Sequence, residues 1–171
     1  MCGIVGYTGT RQAAPFLLKG LAALEYRGYD SAGVEVLSPD GGLHGVKCAG
    51  RVSTLAERCS TANLVGTSGI AHTRWATHGA PADRNSHPHL DCTGRVAIVH
   101  NGIIENYRAL REELLAAGHE FASDTDSEVV AHLVEDSLAG PAKGDLLESV
   151  RIACGRLRGS WALAVISADA P

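Results

Sequence analysis

The chain opens with Cys2-Gly3-Ile4-Val5-Gly6-Tyr7-Thr8, a short apolar stretch that contains two glycines. Brief apolar runs of this kind are typical of buried β-strands. A strand that starts at residue 2 holds the first residues of the chain inside the fold. The sequence therefore predicts that Cys2 has a fixed position beside the core.

Helical and strand patterns are mixed along the rest of the sequence. Helices are predicted over residues 11–26, 52–59, 106–117, 125–138 and 145–157. Strands are predicted over 32–37, 43–49, 69–75, 95–100 and 160–166. The first two of these strands flank turn residues and suit an antiparallel hairpin, whereas 76–93 is a long polar loop of the kind that often carries function. Helices and strands in similar measure, without strict alternation, favour a layered α+β fold.

Bulk composition restricts the class of protein. The 171 residues are 45% hydrophobic and 20% charged, which suits one globular domain. The net charge of -4 offers no basic surplus for a phosphate backbone, so nucleic acid is not an expected partner. No membrane span or signal peptide is predicted, and we expect a cytoplasmic protein. Five cysteines at irregular spacing argue against a disulfide framework.

Cys2 is the candidate nucleophile. If Met1 is removed, the α-amine of Cys2 becomes free, and an amine with a pKa of about 7.7–8.0 can accept the thiol proton. A retained Met1 would turn that amine into an amide and move the terminus by about 3.8 Å. The alternative is a buried thiol that acts as a small apolar side chain.

Two other predicted strand ends carry groups that suit an amide substrate. Asn101 and Gly102 follow one strand, and an amide side chain beside a backbone N–H can stabilise an oxyanion, although Asn-Gly is also a turn signal. Arg74 lies at the end of another predicted strand, where it could bind a carboxylate bidentately or lie over Trp75 at the surface. Asp126 could pair with an ammonium group, or it could simply be an acidic residue in the predicted capping box 125–128.

Four motifs, in this order, resemble those of the class II glutamine amidotransferases. They are Met1-Cys2-Gly3-Ile4-Val5-Gly6-Tyr7, Leu24-Glu25-Tyr26-Arg27-Gly28-Tyr29-Asp30-Ser31-Ala32-Gly33, the run His72 to Gly79, and His100-Asn101-Gly102-Ile103-Ile104-Glu105-Asn106-Tyr107. The resemblance covers residues 1–171 and is greatest to the branch that acts on sugar phosphates. It implies an α+β, four-layer αββα sandwich of the N-terminal nucleophile hydrolase type, L-glutamine as substrate and no cofactor.

The resemblance also implies roles for individual residues. Cys2 would be the nucleophile, and Asn101 with the Gly102 N–H would form the oxyanion hole. Arg74 would bind the α-carboxylate of glutamine, and Asp126 its α-ammonium group. The other matched positions are Arg27 near the nucleophile, Thr77 and His78 in a closing loop, Trp75 at the gate to an ammonia passage, and His87 in the segment Asn85-Ser86-His87-Pro88-His89.

Complete members of this branch pass ammonia to sugar-isomerase domains, which form glucosamine 6-phosphate from fructose 6-phosphate. Those domains do not occur before Pro171, so we expect an incomplete glutaminase domain, apparently truncated at its C-terminal end. Any homodimer would form through the missing domains. Two alternatives stay open: a folded but silent fragment that retains Met1, and an amidotransferase with a different acceptor.

A zinc site is a further alternative from a different class. It would use His87, His89 and Cys92 together with His72 or His78. The residue types suit zinc, but their spacing fits no compact four-ligand pattern, so no metal site is predicted from the sequence.

Overall fold

Two antiparallel sheets form the centre of the fold in the computed structural model, which describes residues 2–75 and 79–170. The first sheet has the strand order β1 (Gly3–Thr8), β4 (Ser68–Arg74), β2 (Ser31–Leu37) and β3 (Leu43–Ala49). The second sheet has the order β5 (His89–Leu90), β6 (Val96–Ile104) and β7 (Gly159–Ser167). The predicted hairpin is confirmed, since β2 and β3 pair from Ser31↔Ala49 to Leu37↔Leu43.

Helices cover the outer face of each sheet. The first sheet is covered by α1 (Ala13–Leu24) and α2 (Val52–Ala62), and the second by α3 (Tyr107–Ala116), α4 (Glu128–Ala139) and α5 (Leu146–Arg156). Short 3₁₀ turns occupy Glu25–Arg27 and Asp83–Asn85. Within the described ranges, every helix is too short or too polar to cross a bilayer.

The side chains of β6 show how the layers are joined. Val96 and Ile98 pack in the cluster that includes α3, α4 and α5, whereas Ala97 and Val99 join Ile70 of β4 between the two sheets. Alternate residues of a strand point to opposite faces, so an apolar strand of this kind is buried on both sides. The layers are therefore helix, sheet, sheet and helix, and the predicted αββα fold is confirmed.

The predicted end of β6 is wrong. The strand was expected to stop at His100, but residues 101–104 continue it by pairing with residues 159–162 of β7. Asn101 and Gly102 therefore lie inside a strand, and the turn interpretation of this dipeptide is also wrong. The local turn signal is overridden by pairing with a strand that lies far away in the sequence.

The predicted capping box is also wrong. The α4 helix begins at Glu128, and Ser127 at the N-cap makes no side-chain capping bond. Instead, the Glu128 carboxylate accepts hydrogen bonds from the backbone N–H groups of Ala122 and Ser123, at 2.7 and 2.8 Å. These bonds hold the segment before α4 in a compact turn, and that turn carries Asp126.

Candidate active site

A cavity of about 290 Å³ lies among the ends of β1 and β4, the middle of β6 and the turn before α4. A volume of this size suits a small polar ligand. Seven of the predicted site residues line it: Cys2, Arg74, Trp75, His87, Asn101, Gly102 and Asp126. Segments that are distant in the sequence are thus brought to one place by the pairing of the strands.

Cys2 is positioned by strand pairing and by two hydrogen bonds. Because β1 pairs with β4 through Gly3↔Thr73, Cys2 lies beside the chain as it leaves β4. The Trp75 N–H donates to Cys2 Sγ at 3.4 Å, and Arg27 Nε donates to the Cys2 carbonyl at 3.0 Å. The backbone of residue 2 and the direction of its thiol are therefore both constrained.

The Tyr-Arg-Gly motif follows α1 and supports this arrangement. A Cβ atom at Gly28 would lie 2.7 Å from the Arg74 carbonyl carbon and 2.8 Å from Trp75 N, so glycine allows the two segments to touch. That approach lets Arg27 reach Cys2. Arg27 is near the candidate nucleophile, but it contacts the backbone and does not line the cavity.

Gly102 has a backbone conformation that requires glycine. Its φ is 147°, and a Cβ atom there would lie 2.0 Å from the carbonyl oxygen of Ser160. Asn101 is half-buried beside it, and both residues line the cavity. The two candidate oxyanion donors are thus held by the β6–β7 pair rather than by a mobile turn.

Opposite charges face the cavity from Arg74 and Asp126, which are 4% and 3% exposed. Arg74 Nη2 donates to the Gly79 carbonyl at 3.1 Å, and the Ile104 N–H donates to Asp126 Oδ2 at 2.9 Å. Burial lowers the pKa of the Arg74 guanidinium, while Cys2 and nearby acidic side chains act in the opposite direction. An arginine nevertheless stays charged in proteins, so the cavity presents a cation and a carboxylate to one ligand.

Four buried histidines lie in and behind the wall of this cavity. The ring of His87 packs against those of His72 and His89, with centroids 4.1 and 4.4 Å apart, and His72 Nε2 donates to the His100 carbonyl at 2.9 Å. Burial lowers the pKa of His72 and of His89 to about 3, and lowers the pKa values of His87 and His100 as well. The histidines are therefore neutral at physiological pH and leave Arg74 as the cation on the cavity wall.

The remaining predicted residues differ in what the structure shows of them. Trp75 is 47% exposed and contacts Tyr29 edge to face, with ring centroids 5.8 Å apart, which places it at the rim. Thr77 and His78 lie outside the described residues. Among the described residues, the alternative zinc site with His87 and Cys92 does not form, because Cys92 contacts His119 and His132 instead of His87.

Sequence reasoning missed several residues of the cavity wall. They are His100, Ile103, Thr125, Ser127 and Ser160. His100 Nδ1 lies 2.7 Å from Ser127 Oγ, which links β6 to the turn before α4. His100 and Ser127 could have been predicted, because they are adjacent in the sequence to the predicted site residues Asn101 and Asp126. Ser160 could not, because it reaches the site only through the pairing of β7 with β6.

Comparisons with known proteins agree with this geometry. A family model described as glutamine amidotransferase domain matches residues 72–171. The chain is 55% identical, over its whole length, to glutamine--fructose-6-phosphate aminotransferase [isomerizing] from Streptomyces coelicolor, and 54% identical to that of Thermococcus kodakarensis. It spans 28% of the length of each of these relatives.

Solved structures give the same relationship. The fold is similar to that of glutamine phosphoribosylpyrophosphate amidotransferase from B. subtilis, with a TM-score of 0.81 and 26% identity, over 98% of this chain and 35% of that one. A structure described as the allosteric regulatory enzyme of purine biosynthesis has a TM-score of 0.82 at 26% identity, over 98% of this chain and 36% of that one. On its family match, its sequence identity and its fold, this chain belongs to the class II glutamine amidotransferases.

Proposed function

We propose that this chain hydrolyses the side-chain amide of L-glutamine to glutamate and ammonia through a thioester on Cys2. One observation carries the proposal. A single cavity is lined by Cys2, by Asn101 and Gly102 as candidate oxyanion donors, and by the opposite charges of Arg74 and Asp126. That set can bind the two charged ends of an amino acid and act on its side chain.

The reaction begins once Met1 has been removed. The Cys2 thiol passes its proton to its own α-amine, and the sulfur attacks the amide carbon of glutamine. The carbonyl electrons move to the oxygen, where the Asn101 side chain and the Gly102 N–H stabilise the negative charge. Each such donor is worth about 3 kcal/mol in comparable enzymes.

The oxyanion then collapses and the carbon–nitrogen bond breaks. The nitrogen takes the proton held by the α-amine and leaves as ammonia, so a thioester remains on Cys2. Water attacks the thioester in the second half of the reaction, and glutamate leaves as the thiol is restored. Arg74 and Asp126 hold the ligand throughout, and Trp75, Thr77, His78 and His87 complete its surroundings in this proposal.

The proposed acceptor of the ammonia is fructose 6-phosphate. The relatives that are 54–55% identical carry this sugar phosphate in their names, whereas the phosphoribosylpyrophosphate amidotransferase is 26% identical. The chain would thus be the glutaminase part of a longer cytoplasmic enzyme that makes glucosamine 6-phosphate. Its partners would be sugar-isomerase domains, through which any homodimer would form.

The central claim is tested by the covalent state of residue 2 and by product release. Intact-mass measurement should show loss of Met1, and an electrophilic glutamine analogue should modify Cys2. Cys2→Ala should abolish the release of glutamate and ammonia, whereas Cys154→Ala, which removes a half-buried thiol in α5, should retain it.

Two outcomes would overturn the mechanism. One is glutamate release by the Cys2→Ala variant. The other is the absence of glutamate from wild-type protein that has lost Met1 and gives the circular dichroism spectrum of a folded protein, which would show that the fragment is silent even without Met1.

A further inference from the structure

Four metal-binding side chains converge at a place outside the candidate active site. They are Cys92, His119, His132 and Glu135, and none of them lines the cavity that contains Cys2. They come from three segments: the turn after β5, the connection between α3 and α4, and one face of α4, where His132 and Glu135 are three residues apart. The fold therefore joins these groups by tertiary contact.

Four of the six distances among the ligand atoms are close to those of a tetrahedral metal centre, and all four atoms lie within 4.8 Å of one another. Cys92 Sγ lies 3.4 Å from His119 Nδ1 and 3.5 Å from His132 Nδ1. Glu135 Oε2 lies 3.1 and 3.3 Å from the same two nitrogens. Sulfur, nitrogen and oxygen ligands at zinc distances in a tetrahedron are about 3.3–3.6 Å apart. One ion could therefore bind all four atoms once the pair that is farthest apart moves closer.

A second set of groups orients the ligands. His119 Nε2 lies 2.9 Å from Asp136 Oδ1, so its proton can reside there and leave Nδ1 free to bind a metal. His132 Nε2 lies 3.8 Å from Glu128 Oε1, which is too long for a hydrogen bond. Histidines that bind metals usually donate their second nitrogen to a carboxylate, and His119 follows this pattern.

The sulfur has support of its own. The Glu120 N–H donates to Cys92 Sγ at 3.4 Å, and the Cys92 N–H donates to Glu135 Oε2 at 3.1 Å. A backbone N–H that points at a sulfur stabilises a thiolate. These two hydrogen bonds hold the Cys92 sulfur and the Glu135 carboxylate, which are two of the four candidate ligands, in place.

The charges of the set also suit a divalent cation. A thiolate and a carboxylate contribute two negative charges, and two neutral imidazoles contribute none. The side chains of His119, His132 and Glu135 are only 8%, 1% and 18% exposed, whereas Cys92 is exposed and offers a route of entry.

We propose that Cys92, His119, His132 and Glu135 bind one divalent transition-metal ion, with zinc as the preferred ion. Four protein ligands leave no open position, which is the arrangement of a structural zinc site and not of a catalytic one. The ion would fasten the turn after β5 and the α3–α4 connection to α4. The same helix follows the turn that carries Asp126, so the metal would stabilise the frame of the candidate active site.

The test uses untagged protein that is loaded with zinc and then washed with a weak chelator. Elemental analysis should find one zinc ion per chain in the wild type. Cys92→Ser and His119→Gln should each lose most of it, while the matched controls Cys154→Ser and His44→Gln should retain it. His44 is exposed on β3, outside the cluster.

A second measurement does not depend on the folding of any variant. Cobalt(II) added to the metal-free wild type should produce the intense visible spectrum of a tetrahedral ion and a thiolate-to-cobalt charge-transfer band.

Zinc should also raise the melting temperature of the wild type but not that of Cys92→Ser, because the ion binds the folded state.

Three results would overturn the proposal. They are the loss of zinc from the wild type during washing, the retention of a full equivalent by both Cys92→Ser and His119→Gln, and a cobalt complex of the wild type with no thiolate band. None of these readouts uses glutamine, so failure here is distinguishable from failure of the proposed glutaminase activity.

Discussion

Arg74 and Asp126 show how single residues could select the substrate. Both are almost fully buried, and each is held by a hydrogen bond to the backbone, so neither charge can move far. A fixed cation and a fixed carboxylate on one cavity discriminate against ligands that lack either an acidic or a basic group. An α-amino acid carries both groups on its α-carbon, so its carboxylate can face Arg74 while its ammonium group faces Asp126.

Replacement of the arginine tests this at the residue scale. Arg74→Lys retains the charge but loses the planar fork that binds a carboxylate through two hydrogen bonds. We expect KM for glutamine to rise by about 10-fold or more, which corresponds to roughly 1.4 kcal/mol, with a smaller change in kcat.

The matched control is Arg58→Lys. Arg58 forms an exposed ion pair with Asp83, at 2.7 Å, and does not line the cavity. Glutamate release measured against glutamine concentration should show no change in KM for this variant. Equal KM values for Arg74→Lys and the wild type would remove Arg74 from the proposed carboxylate site.

At the scale of elements, β6 determines where the candidate oxyanion donors lie. Its pairing with β7 continues through Asn101 and Gly102 to Ile104, so a regular strand carries both residues past the cavity. The positive φ of Gly102 occurs within that pairing, where the carbonyl of Ser160 occupies the space of a side chain.

We predict that Gly102→Ala loses both stability and activity. The positive φ alone costs about 1–3 kcal/mol for a residue with a Cβ atom, and the contact with Ser160 adds to that cost. Gly155→Ala is the control, because Gly155 lies in α5 with open space around its Cα, and alanine there should stabilise by up to about 1 kcal/mol. Urea unfolding measures both changes, and equal stability of the Gly102→Ala variant and the wild type would contradict the strain argument.

Most helices and strands were predictable from local sequence patterns, but the residues at which they end and the contacts between them were not. Periodicity indicated the five helices and the β2–β3 hairpin because those signals lie within a few neighbouring residues. Asn101-Gly102 is locally a turn signal, and only its pairing with residues some 60 positions later makes it part of a strand. The convergence of Cys92 with His119 and His132 depends on tertiary contact in the same way.

On the scale of the whole molecule, the seam between the sheets contains buried histidines in place of a purely apolar core. His72 of β4 donates to the backbone of His100 in β6, so a hydrogen bond crosses from one sheet to the other. Burial disfavours the charged form of each ring, which lowers its pKa in the folded state. The two sheets therefore pack well only while these rings are neutral.

The free energy of unfolding should consequently fall in acid. Because the folded pKa of His72, about 3, lies below its ordinary value of 6.5, the unfolded chain takes up a proton first as the pH falls. The contribution is complete above about pH 6.5 and is lost progressively toward pH 3, at up to about 1.4 kcal/mol per pH unit. Burial raises the pKa of Glu35 to about 7, which acts in the opposite direction, so a comparison with a variant is needed.

His72→Gln provides that comparison, because glutamine can still donate to the His100 carbonyl but does not titrate. Between pH 6.5 and 5, its stability should depend less steeply on pH than that of the wild type, whereas the exposed control His44→Gln should follow the wild type. Urea unfolding at several pH values gives the slopes. Parallel slopes for the wild type and His72→Gln would show that the ring is not buried in its neutral form.

The pairing of β1 with β4 has a consequence for inheritance. Ile4 packs between the sheets and Val5 packs against the cluster of α1, so β1 is apolar on both faces. Insertion of one residue before Gly3 would leave Ile4 and Val5 in register with the core, yet it would shift the thiol by about 3.3 Å along the strand. A single insertion at the start of the gene could therefore abolish the proposed reaction without unfolding the protein. Natural selection on the first codons would then act on the position of the thiol and not on the stability of the fold.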